Sequence, residues 1–165
     1  APMKRILLVL ALASSMAGAV AADESKFLQL SLTPGIALQD RDTTIEGISL
    51  NIWGEGPQSG FTMGFVNGNT GESKGLTLGL VNYAETYKGV QWGIVNTSSK
   101  LFVGWQNGMV NIGKEVRGLQ MGTVNYAESL NGLQLGLVCI VKDNPWFSEF
   151  PDKLAKGFVF VNWSF

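Results

Sequence analysis

Gly75-Leu-Thr-Leu-Gly-Leu-Val-Asn82 is followed by Gly89-Val-Gln-Trp-Gly-Ile-Val-Asn96, and these two segments decide how the rest of the chain is read. The same unit precedes them as Gly60-Phe-Thr-Met-Gly-Phe-Val-Asn67. It recurs as Gly104-Trp-Gln-Asn-Gly-Met-Val-Asn111, Gly118-Leu-Gln-Met-Gly-Thr-Val-Asn125 and Gly132-Leu-Gln-Leu-Gly-Leu-Val-Cys139. A degenerate copy, Gly47-Ile-Ser-Leu-Asn-Ile-Trp53, stands further upstream. The leading glycines of the six full copies are 15, 14, 15, 14 and 14 residues apart. A period this short marks one supersecondary unit repeated along the chain.

Inside each unit the side chains alternate with period two. Leu76, Leu78 and Leu80 share one parity, and Thr77, Gly79 and Val81 the other. Val90, Trp92 and Ile94 likewise oppose Gln91, Gly93 and Val95. On a helix these residues would scatter around the axis, and the mid-unit glycines would weaken it, so the unit is a strand. Polar connectors separate the units: Tyr83-Ala-Glu-Thr86, Thr97-Ser-Ser-Lys100, Ile112-Gly-Lys-Glu115 and Tyr126-Ala-Glu-Ser129. Between Gly60 and Val141 every charged residue lies in or beside a connector. The pattern predicts strands over 27–39, 45–54, 60–68, 74–83, 87–97, 101–112, 116–126, 130–141 and 156–165, with turns of about three residues between them. Asp143 to Lys156, with Asn144-Pro-Trp146 and Phe150-Pro151, reads as an anchoring loop.

Two architectures use a sheet that is bulky on one face and small or polar on the other. The leading expectation is an antiparallel β-meander closed into a small outer-membrane β-barrel, bulky side to lipid and Gln/Thr/Gly side to the lumen. Strands of about eleven residues suit a bilayer crossing, and Tyr83, Tyr87 and Tyr126 sit where an aromatic girdle would form. Outer-membrane lipid and the barrel-assembly machinery would then be the partners. The alternative is a β-solenoid of 14–15-residue coils, with the bulky side turned inward. Asn67, Asn82, Asn96, Asn111 and Asn125 favour that alternative: all stand at one place in the unit, on the apolar parity, where stacked coils could pair them in an amide ladder.

At 165 residues the chain is sized for one domain. Lys4 and Arg5, then the apolar run Ile6–Ala13, then Ala19-Val20-Ala21 have the layout of a secretory signal peptide, so the expected organisation is a signal peptide over 1–21 and one repeat-built β domain over 22–165. That places the protein at the outer membrane or cell surface, or else in the periplasm or secreted. Removal of the leader leaves 10 basic against 13 acidic residues, net −3, which argues against nucleic acid as a partner. Charged residues make up 15% of the chain while glycine occurs 21 times, a balance suited to a sheet pressed against lipid or against itself.

The repeated G-[LV]-Q-x-G-[LIM]-V-N unit, with the closing Val161-Asn-Trp-Ser-Phe165, resembles a bacterial family of surface-repeat proteins described among spirochaetes and other Gram-negative groups. The resemblance spans residues 47–141 and the carboxyl end. It implies an exported or surface-associated protein and brings no catalytic or ligand residue. A final strand ending on Phe165 likewise resembles the carboxy-terminal signal of outer-membrane barrels.

The chain contains no histidine, which removes histidine-based triads and imidazole metal ligation, and the single Cys139 cannot build a thiolate cluster or an internal disulfide. Neither a G-x-S-x-G nor a P-loop spacing occurs, and Gly54-Glu-Gly-Pro-Gln-Ser-Gly60 lacks the following helix that a phosphate loop needs. Asp40, Asp42 and Glu46 form the densest acidic group and read as a solvated loop. No enzyme and no cofactor are therefore expected. Gln91, Gln106, Gln120 and Gln134 are the one recurrent polar series that could line a lumen or present an adhesin-like ligand face. Cross-strand amide hydrogen bonding is the structural use of the same series.

Overall fold

The computed structural model describes residues 24–165, so the expected signal peptide over 1–21 lies outside the described residues. Among the described residues eight strands form one sheet: β1 (Lys26–Thr33), β2 (Ile36–Ala37), β3 (Ile45–Gly56), β4 (Ser59–Trp92), β5 (Val95–Asn107), β6 (Val110–Met121), β7 (Val124–Val141) and β8 (Gly157–Ser164). Their order is β2-β1-β3-β4-β5-β6-β7-β8. Every pairing from β1–β3 through β6–β7 is parallel; only the end pairs β1–β2 and β7–β8 are antiparallel.

This is a β-solenoid, and the expected antiparallel barrel is corrected on two counts. The sheet is open, with β2 and β8 at its edges, and consecutive repeats lie parallel. The cause is the repeat itself. Parallel stacking at one period sets Gly104 on Gly118, Gln106 on Gln120 and Asn96 on Asn111, like upon like. A meander would have reversed each unit against the next and put unlike residues together.

The connectors are not turns either. Tyr83 and Ala84 pair with Thr97 and Ser98, which pair in turn with Ile112 and Gly113, so these stretches are the return side of each coil. β4 makes the point by its length: 34 residues in a straight strand would run about 110 Å, so the strand must wind around corners. At one corner Leu80 and Val81 are adjacent and both exposed, after which Asn82 turns fully inward. The period-two alternation slips there by one residue. That slip carries the asparagines from the apolar parity into the interior.

The 14- and 15-residue spacings coexist because the extra residue is left outside. Ladder register shifts between Ala84/Tyr87 and between Ser98/Leu101, so the coil through Ser99 and Lys100 carries one more connector residue than its neighbours. Interior positions stay in line. Leading glycines are required by conformation as well as space: Gly104 has φ +135°, and a Cβ on it would collide with the carbonyl oxygen of Gly89 one coil away.

The interior is mostly amide. Ala84, Tyr87, Phe102, Val116, Ala127, Leu130 and Val141 form its apolar strip, with Tyr87 and Phe102 stacked at 6.0 Å and nearly parallel. The bulky residues of the repeat strand point outward, against the inward placement expected for a solenoid. The second glycines explain this. A Cβ on Gly122 would meet the Gly108 carbonyl and, at 2.7 Å, the Asn111 amide of the preceding coil, so the stacked backbone and the asparagine ladder leave no room there for a leucine. At the carboxyl end β8 covers the last coil, and Asn144 and Asn162 both donate to the Ala155 carbonyl to hold the intervening loop.

Candidate functional site

The four glutamines lie inside the coil. Gln91, Gln106, Gln120 and Gln134 are fully buried and joined amide to amide: Gln106 donates to Gln91 at 3.0 Å, Gln120 to Gln106 at 2.8 Å and Gln134 to Gln120 at 2.8 Å. Gln134 also reaches across the interior to the Ile140 carbonyl at 3.0 Å. Their column is a structural ladder, with no surface left for a ligand. The asparagines form a second ladder, with Asn67, Asn82, Asn96 and Asn111 each donating to the next at 2.8–2.9 Å. Each also donates to a main-chain carbonyl of the following coil, as Asn96 does to Asn107 at 3.0 Å, so both amide hydrogens are used at the corner.

What remains for a counterpart is the outside of the repeat strands. Three outward positions per coil stack into columns. One runs Val90, Trp105, Leu119, Leu133 and another Trp92, Asn107, Met121, Leu135. The third passes through Leu80, Ile94, Met109, Thr123 and Leu137. β1 and β3 extend the columns: Leu28 pairs with Ile48 and then Phe61, and Leu30 with Leu50 and then Met63. No charged residue stands in any column. Phe65, Met109 and Leu137 are each 58% exposed and Trp92 52%, far from the burial such side chains usually reach. A contiguous apolar surface of this extent on one face is the usual mark of an interaction site.

The face has relief. Pro34 and Gly35 turn the chain back so that β2 pairs with β1, and the Gln29 side chain clamps the return by bonding both N and O of Gln39 at 2.9 and 3.0 Å. The hairpin leaves Leu32 and Ile36 beside Ile52, Phe65 and Leu80, enclosing a groove of about 930 Å³. That is within the range of about 300–1,000 Å³ typical of sites for small ligands. At the opposite end of the same face Phe160, 67% exposed, stands as the raised wall of a shallow open hollow floored by Met109, Thr123 and Leu137.

Asn107 and Thr123 are part of this face, whereas the polar groups around Glu55 and Glu85 lie off it. Tyr83 donates to Glu55 at 2.6 Å and accepts from Trp53 at 3.2 Å, and Arg41 also pairs with Glu55. The Tyr83 hydrogen bond and then Arg41 hold the Glu55 carboxyl below its usual range, while burial and the Glu55 bond raise the Tyr83 hydroxyl. Across the connectors Lys100 pairs with Glu85 at 2.7 Å. Among the described residues no grouping of acidic and cysteine side chains could hold a metal ion. Burial pushes the Cys139 thiol up.

The apolar face is the feature that reasoning from sequence located but turned the wrong way for a solenoid. Its signal was available: three alternating bulky positions without a charge in any copy. No family model, curated protein or solved structure matches this chain.

Proposed function

We propose that this chain is an exported, surface-associated structural or interaction module without catalytic activity, and that it acts by presenting the apolar face of its solenoid to another apolar surface. The single observation that supports this most is that face: three columns, mostly of Leu, Ile, Val, Met, Phe and Trp and broken only by the uncharged Asn107 and Thr123, half-exposed to exposed along their length and free of charge. Burying such columns is favourable at roughly 25 cal/mol per Å², and no directional chemistry is needed. Secretion as an adhesin-like module would use the same surface, since the glutamines are enclosed.

The test is charge placed on the face. Ile94→Lys with Met109→Glu should sharply reduce retention of the folded protein on an alkyl matrix and its binding of a dye that reports exposed apolar surface. Glu85→Lys, on the connector side, should leave both unchanged. Retention that ignores the face substitutions would remove the reading.

A further inference from the structure

Resting on that reading, we propose that the occupant of the apolar face is a second copy of this chain, packed face to face about a twofold axis with the two solenoids running in opposite directions. Area is the first argument. The face extends over about eight inter-strand steps from β1 to β8, about 38 Å at ~4.8 Å per step, and over about five residues, ~17 Å, across. The projected area is about 650 Å² before side-chain relief is counted, close to the ~800 Å² that each partner of a stable complex contributes. A closed, self-complementary pair would bury all of it at once.

Relief is the second argument. The groove bounded by Ile36, Phe65 and Leu80 lies at the amino-terminal end of the face, and the exposed Phe160, the raised wall of a shallower hollow, lies at the carboxyl-terminal end. Both border the column that runs through Leu80, Ile94 and Leu137. A twofold axis in the plane of the face, perpendicular to the solenoid axis, sets this column on itself and exchanges the two ends. Phe160 of each copy then sits over the groove of the other, twice per dimer. The axis passes near the middle coil, that of Trp92 and Ile94. A fluid bilayer would cover the same face but would have no use for this match of projection and groove.

The measurement is the solution mass, by sedimentation equilibrium without detergent, of the protein recovered after export with its own leader. Twice the chain mass is expected. Ile94→Glu at the axis should raise the dimer dissociation constant at least about 100-fold with an unchanged circular dichroism spectrum, and Phe160→Ala about tenfold. A short bismaleimide should link Ile94→Cys to its own copy. It should not link Leu137→Cys, whose two copies stand roughly six coil steps, ~29 Å, apart in this arrangement.

A monomer at ~100 μM, a dimer indifferent to Ile94→Glu, or self-linking at position 137 but not at 94 would overturn the proposal. The two readings can fail separately. A monomer that floats with neutral phosphatidylcholine vesicles through the same face residues would leave the interaction module standing with lipid as its occupant. A monomer that neither pairs nor floats, and whose retention on alkyl matrices ignores those residues, would remove both.

Discussion

At the scale of single residues, stability rests on amides more than on hydrocarbon. Asn96, fully buried, accepts from Asn82, donates to Asn111 and donates to the Asn107 carbonyl. Asn96→Ala orphans the Asn82 amide hydrogen and the Asn111 Oδ1, while the Asn107 carbonyl keeps the Gly93 N–H. At about 1–3 kcal/mol for each orphaned group, a loss of roughly 2–6 kcal/mol in urea unfolding is expected, against less than about 0.5 for Ser99→Ala on the connector. Tyr87 supplies a pH signature. Burial pushes its hydroxyl up to about 12, opposed by the bond to Thr77 at 2.8 Å. An acid whose folded-state value is raised favours the neutral form in the fold. Its contribution is therefore complete below the unfolded value near 10 and disappears as pH rises from there toward 12. Urea midpoints at pH 9 and pH 11 should fall further for the native protein than for Tyr87→Phe. Equal falls would assign the alkaline loss to other groups.

At the scale of the element, a column behaves as one unit. Gln106→Leu keeps the volume but leaves the Gln91 oxygen without its donor and removes the acceptor used by Gln120. Replacing Gln91, Gln106, Gln120 and Gln134 together with Leu strands no ladder partner. The fourfold variant should therefore cost clearly less than four times the single one in chemical denaturation; additive losses would mean that the glutamines act independently. The period is testable in the same way. Deleting residues 104–117 removes one 14-residue coil and brings Gly118 onto Gly89, with the Asn column still in phase. That variant should keep a strand-type circular dichroism spectrum and unfold at a lower urea concentration, as expected when one nearest-neighbour interface is lost. Deleting only 104–110 sets glycines against asparagines and should abolish the fold.

At the scale of the whole molecule the protein has its amides inside and much of its hydrocarbon outside, an arrangement that hydrophobic burial alone would not select. The parallel ladder satisfies the main chain from coil to coil, and the amide columns satisfy the side chains between their ends, where Gln91 Nε2 and Gln134 Oε1 have no partner among the described residues. The end caps differ in strength: β8 pairs with β7 along most of its length, whereas β2 covers β1 with two residues. Much of this is legible in the residue order alone. The period of Gly60 to Gly132, the strand character of Leu76-Thr-Leu-Gly-Leu80, the confinement of charge to connectors and the alignment of the asparagines all follow from residue order, because alternation and repetition are local properties. Which way the strands pair is not local. An isolated Gly-Leu-Gln-Leu-Gly strand is the same object in a meander as in a coil. Only the stacking of Gly104 on Gly89, where a Cβ would collide, sets the glutamines inward and the leucines out, and only the one-residue slip at Leu80–Val81 brings the asparagines in beside them. Those are contacts between residues a whole period apart, and they exist only once the chain has closed its first coil onto the next.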